Sequence, residues 1–144
     1  MNNELDPAER HLRVGAARVG RLATVRPDGA PHLVPFCFAL EGEVLYSAVD
    51  AKPKRTPGAP LARFRHVADE PRVSILVDEW SEDWAQLWWV RVDGRAAAVE
   101  PGSDEERRAL GLLTEKYPQY RAAPPAGPVL AITGERWSGW TAAS

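Results

Sequence analysis

The residues best suited to chemistry lie in one short stretch. Lys52, Lys54 and Arg55 fall inside Asp50 to Pro60, a segment that also holds three prolines and one glycine. No regular element accommodates that spacing, so it reads as a proline-stiffened loop. A phosphate-bearing ligand needs cationic side chains and free amides held in fixed positions, and a basic loop feeding a helix offers both. Lys54 and Arg55, helped by Lys52, are therefore the phosphate candidates. The competing reading is a solvated basic loop, because surface charges are commonplace.

No other residue stands out as an acid, base or nucleophile. Cys37, the single cysteine, sits in an apolar stretch with no sequence-evident base, where a free thiol behaves as a small buried hydrophobe. His11, His32 and His66 are scattered without metal-ligand spacing, so a metal-free protein is expected. His32 reads as a surface or strand-pairing residue, and His11 and His66 fall on predicted helices. The catalytic residues are thus unknown at this level. Eighteen basic against twenty acidic residues give a net charge of -2, which excludes a global field for nucleic acid or an anionic membrane. Any anion site must be local. Met1 to Arg18 lacks the apolar stretch of a signal peptide or anchor, and no later run approaches bilayer length, so a soluble, cytoplasmic protein is expected.

The elements that must position these residues follow from periodicity and punctuation. The length of 144 residues fits one domain, 1-144. Asp6-Pro7 is a helix start, with a short helix to about Ala17. Arg21 to Arg26 predicts a strand that turns at Pro27-Asp28-Gly29 into a second, His32 to Leu40, apolar enough to be covered on both faces. Pro35 within it removes a ladder donor and marks a bulge or unpaired position. Glu41-Gly42 turns into a third strand, Val44 to Val49. After the basic loop come a helix, Leu61 to Ala68, and a fourth strand, Arg72 to Asp78. A wide turn at Trp80 to Asp83 leads to a long strand, Leu87 to Val99, bent or bulged at Gly94. Ser103 and Glu106 form a capping box that opens a helix to about Tyr117, ended by Pro118. A Pro/Ala/Gly connector, a sixth strand from Val129 to Arg136 and a short tail with Trp137 and Trp140 complete the chain. Six strands, the first five joined mainly by tight turns, with helices only at the start, after the third strand and after the fifth, predict a mainly β fold with peripheral helices (α+β): a six-stranded antiparallel β-barrel.

The ordered set of these pieces resembles a known family. Residues 20 to 32 (GRLATVRPDGAPH), continuing through Val34-Pro35-Phe36-Cys37-Phe38, look like the opening hairpin of the pyridoxamine 5'-phosphate oxidase-like split barrels. The Asp69 to Val73 run (DEPRV) and Val90 to Ala96 (VRVDGRA) follow in the same order, and the likeness spans roughly residues 14 to 100. Trp88-Trp89 and the Lys52-Pro-Lys-Arg55 run look most like an actinobacterial branch that uses the deazaflavin coenzyme F420 in place of FMN. The family usually places one lysine before the helix, whereas this chain offers Lys52, Lys54 and Arg55.

The resemblance implies a homodimer with two cofactor sites at its interface, acting on a small molecule. It implies hydride transfer from reduced F420 to an unsaturated or conjugated substrate, with an FMN-dependent oxidase or reductase as the alternative. A non-catalytic flavin, deazaflavin or haem binder is the third reading, because one fold hosts many functions. A tricyclic ring needs a flat apolar wall with backbone donors along one edge, which points to Val34, Pro35 and Phe36 on the second strand and Ser47, Ala48 and Val49 on the third. Ordinary core packing is the competing reading for all six. Trp84, Trp88 and Trp89 are expected at the substrate pocket or the dimer seam. Trp88 and Trp89 must face opposite sides of their strand.

Overall fold

The computed structural model describes residues 3–49 and 61–143. In chain order its elements are α1 (Pro7–Ala16), β1 (Gly20–Val25), β2 (Pro31–Phe36), β3 (Ala39–Glu41), β4 (Val44–Ala48), α2 (Ala62–Asp69), β5 (Arg72–Glu79), β6 (Trp88–Ala98), α3 (Asp104–Lys116), α4 (Pro118–Ala122) and β7 (Val129–Thr141). The strands form one antiparallel sheet in the order β2-β1-β5-β6-β7-β4-β3. β2 and β3 are consecutive in the chain yet lie at opposite ends of that order. Only Cys37 and Phe38 separate them, and three Cα steps reach at most about 11 Å. The sheet must therefore curl until its two edges nearly meet, which makes a split barrel.

The barrel interior is filled by alternate residues of the strands: Leu22, Leu45, Ile75, Val77, Val90, Val92, Leu130 and Ile132 are fully buried. Phe36 and Phe38 approach within 5.2 Å across the seam. A second cluster forms where α3 packs Ala109 and Leu113 against the other face of β4 and β7, at Tyr46, Ala48 and Val129. β4 is thereby buried on both faces.

The structure corrects several sequence expectations. Seven strands are present among the described residues where six were predicted, because the predicted His32–Leu40 strand is two strands serving opposite sheet edges. β2 is covered on one face only: Pro31, Leu33 and Pro35 point outward and are exposed. Two-sided burial belongs to β4, because α3 lies over it. Cys37 is exposed at the seam, not buried in a strand. β7 runs on through Trp137 and Trp140, since β6 pairs with it as far as Thr141 and the Asn3–Leu5 backbone bonds its other side. Pro118 ends α3 but also opens α4 as its first residue, a position where the missing N–H costs nothing. The capping box is one-sided: Ser103 Oγ accepts from Glu106 N at 3.1 Å, while Glu106 Oε1 takes the Gly102 amide. The register shift between Asp93 and Gly94 is the expected bulge.

Candidate functional site

The β1–β2 hairpin fixes the wall of the site. Gly29 adopts φ +86°, Arg26 N donates to Ala30 O at 2.9 Å, and Ala30 N donates to Asp28 Oδ1 at 2.9 Å. That closure pairs Thr24 with His32 and Leu22 with Val34, so all four side chains face the barrel interior. α2 lies across this wall and brings His66 to it. Thr24 Oγ1 and His66 Nδ1 are 2.8 Å apart, and the His32 and His66 rings meet edge to face at 4.8 Å and 78°.

His66 and Thr24 are buried. Burial, followed by the neighbouring His32, Arg26 and Arg65, holds the His66 pKa below its ordinary value, with Asp69 opposing. His66 is therefore neutral at physiological pH, and its Nδ1 is satisfied within the protein by Thr24.

Beside this pair lies a cavity of about 240 Å³ lined by His32, Val34, Leu61, Ala62 and Arg63. His32 Nδ1 is buried and has no hydrogen-bond partner among the described residues. Among the described residues no side chain caps α2 at Leu61. An imidazole, a guanidinium-bearing side chain and the positive end of a helix thus converge on an apolar hollow floored by Val34 and Leu61. This is the donor set an anionic group requires, with an apolar surface for what the anion is attached to. A larger open groove of about 410 Å³ between β6 and α3 is lined by Ala96, Ala97 and Ala98 with Arg95, Glu100 and Glu105, so that two carboxylates accompany its one guanidinium.

The predicted residues are distributed unevenly around this cavity. Val34 lines it. Phe36, two residues on and on the same strand face, is buried in the barrel core, whereas Pro35 points outward and is exposed. Strand alternation prevents those three from forming one wall. Ser47, Ala48 and Val49 are all buried: Val49 belongs to the barrel core with Val34 and Leu61, and Ala48 packs on the α3 side. Lys52, Lys54 and Arg55 lie outside the described residues. Trp88 packs on the core, donates Nε1 to Glu79 Oε2 at 3.0 Å and lies under the Arg13 guanidinium. Trp89 is on the opposite strand face, beside Trp140 and the Arg91 guanidinium. Trp84 is 67 % exposed on the β5–β6 connection. None of the three lines the cavity.

Sequence reasoning missed Thr24, His32, His66, Leu61 and Arg63. One signal was available: Thr24 and His32 stand symmetrically about the Pro27-Asp28-Gly29 turn, which pairs them across the hairpin. That α2 would add His66 to the same spot is set by packing, and no local pattern encodes it.

The family model described as pyridoxamine 5'-phosphate oxidase matches residues 7–141. Among solved structures, an FAD-binding protein from Mesorhizobium loti is 27% identical, with 94% of this chain and 93% of that one covered at a TM-score of 0.70. The heme storage protein HutZ from Vibrio cholerae shares the fold at 16% identity, with 98% and 95% covered and a TM-score of 0.69. The FAD binding protein from Mycobacterium smegmatis does so at 17% identity, with 96% and 98% covered and a TM-score of 0.62. No curated protein matches the chain. With the match running from α1 to the end of β7 over a split barrel of the same shape, the chain belongs to the pyridoxamine 5'-phosphate oxidase family.

Proposed function

We propose that this protein is an oxidoreductase that binds a phosphate-bearing flavin-type cofactor at the β2–α2 cavity and uses it for hydride transfer to a conjugated small organic molecule. The observation that carries the reading is the convergence of His32, Arg63 and the uncapped start of α2 on one apolar hollow. Coenzyme F420 is the cofactor that the Trp88-Trp89 and Lys52 to Arg55 runs favour. The FAD-binding protein at 27% identity favours FMN or FAD as the second reading.

The residues present fit such a group. His32 Nδ1, buried and without a partner among the described residues, and the Arg63 side chain would hold the phosphate, with Lys52, Lys54 and Arg55 completing its neutralisation. Val34 and Leu61 would carry the adjoining apolar portion. The bound cofactor supplies the reactive carbon and its hydride, which leaves the protein to bind, orient and exclude water. At about 240 Å³ the cavity is smaller than the roughly 300–1,000 Å³ of a complete cofactor pocket, so a second protomer is proposed to provide the remaining wall.

Fluorescence and absorbance titrations of the purified protein with F420, FMN, FAD and hemin, each separately, test the reading. Saturable binding of F420, followed by its consumption in the reduced form against a panel of conjugated acceptors, is the expected result. Binding of FMN or FAD alone replaces the cofactor but retains the reaction class. Binding of hemin alone, with a Soret shift and no flavin affinity, overturns the oxidoreductase reading.

A further inference from the structure

We propose that the β5–β6 connection docks a basic, arginine-bearing segment of a partner protein, whose guanidinium groups seat on the indoles of Trp80 and Trp84. The surface is separate from the β2–α2 cavity, which neither tryptophan lines.

Trp80 and Trp84 are each 67 % exposed, although tryptophan is among the residues that gain most from burial. The turn that carries them is well tied. Gln86 N donates to Asp83 O at 3.0 Å, Leu87 N donates to Trp84 O at 3.2 Å, and Asp83 Oδ1 accepts from Ala85 N at 3.2 Å. The indoles are thus presented on a held backbone, which lowers the ordering cost of a contact. Their surroundings carry one sign of charge: residues 73–90 contain Asp78, Glu79, Glu82 and Asp83 but no lysine or arginine. Asp78 faces Arg21 at 4.0 Å and Glu79 accepts from Trp88, whereas the exposed Glu82 and Asp83 enter no ion pair among the described residues. Two neighbouring tryptophans show what completes such a group. The Arg13 guanidinium lies over Trp88 at 5.1 Å while its Nε donates to Glu9 Oε1 at 2.9 Å. The Arg91 guanidinium lies over Trp89 at 5.6 Å, with its Nε 3.4 Å from Asp93 Oδ2. In both, an indole face and a carboxylate hold one guanidinium together. Trp80 and Trp84 have carboxylates beside them in the chain but no cation over either ring among the described residues. The missing member is a guanidinium from outside. Arginine suits the place better than lysine, because its flat, weakly hydrated head stacks on an indole and still donates to a carboxylate. The carboxylates repel nucleic acid and anionic membrane. An exposed ion pair alone contributes little, so the indoles supply the selectivity.

The probes are an acetylated peptide of alternating glycine and arginine and its lysine and citrulline counterparts, each titrated into the full chain. Proton–nitrogen NMR follows the indole N–H signals of the six tryptophans, with Trp80 and Trp84 assigned from Trp80→Phe and Trp84→Phe. The arginine peptide should shift those two signals first and bind at least about threefold more tightly than the lysine peptide. The uncharged citrulline peptide should not saturate. Trp80→Ala combined with Trp84→Ala should weaken arginine-peptide binding about tenfold. Glu82→Gln combined with Asp83→Asn should weaken it about threefold, and asparagine keeps the turn capped. All these side chains are exposed, so the thermal midpoint of each variant should stay near that of the unmodified protein. Equal binding of the arginine and lysine peptides, or unchanged affinity in the double tryptophan variant, overturns the proposal in favour of general attraction to acidic groups. No binding of the arginine peptide also overturns it. If the double tryptophan variant then sediments as a smaller species than the unmodified protein, the two indoles belong to a contact between copies of this chain.

Discussion

Single residues in this protein show how position decides chemistry. Lys116 ends α3 with its amine over the Phe38 ring at 4.2 Å, donating to Phe38 O at 2.8 Å. Burial, then the Arg18 guanidinium, push its pKa down from 10.5 to about 8. Burial pushes the adjacent Tyr117 phenol up from 10.0 to about 12. Between its folded and unfolded pKa values Lys116 has released a proton that the unfolded chain still holds, so stability rises with pH there. Tyr117 has the opposite sign: above pH 10 the folded chain keeps a proton the unfolded chain has lost, and stability falls. Urea midpoints should therefore climb from about pH 8 to a maximum near about pH 10 and then decline. Lys116→Met should abolish the climb and leave the decline. A second residue-scale prediction concerns the basic run. Lys54→Ala combined with Arg55→Ala should raise the cofactor dissociation constant by about tenfold or more, since each charge-assisted phosphate contact contributes roughly 1.5–3 kcal/mol when fully made. The thermal midpoint should stay within a degree or so if the run serves binding and not folding, since substitutions away from a packed core act within about 0.5 kcal/mol. Unchanged affinity would assign the phosphate to other groups.

Two glycines separate the demands of strand and helix. Gly94 sits at the bulge of β6, where an added Cβ would collide with Thr133 O, a backbone atom that cannot move aside. Gly94→Ala should destabilise by at least about 2 kcal/mol, as overpacking does, and disturb the β6–β7 register. Gly111 lies exposed in α3 with nothing within 4 Å of an added Cβ. Gly111→Ala should stabilise by about 0.5–1 kcal/mol through the entropy of the unfolded chain. Opposite shifts in denaturation midpoint are the check. The bulge was legible because a glycine inside a strand pattern marks a bend or a close approach of another backbone. The start of α3 was legible because Ser103 opens an acidic first turn. The split between β2 and β3 was not legible. Phe36 and Phe38 continue the same inward alternation across it, and only the closing of the barrel sends the chain to the opposite edge.

At the scale of the whole molecule the outer sheet face carries exposed apolar side chains. Leu33 is 67 % exposed and Leu76 39 %, on strands of that face, with Arg21, Asp78, Arg91 and Asp93 around them. A face bearing both an apolar centre and both signs of charge can pair with itself about a two-fold axis. The proposed homodimer fits there. Sedimentation should show a dimer, and Leu33→Asp should yield folded monomers with weakened cofactor binding if the second protomer completes the cavity. A monomer that binds cofactor at full affinity would reject the interfacial site.

What the sequence determined by itself was local: the hairpin turn at Gly29, the strand alternation, the cap at Ser103, the bulge at Gly94 and a β-rich chain without a dominant charge. Each depends on neighbours within a few residues, where periodicity and turn stereochemistry suffice. Tertiary structure alone decided that β2 and β3 belong to opposite edges, that β4 is covered twice, and that His32 and His66, 34 positions apart in the chain, meet beside the start of α2. Those outcomes depend on how a twisted sheet closes and where a helix settles on it. Closure is a property of all the strands together, so no single segment carries its signature.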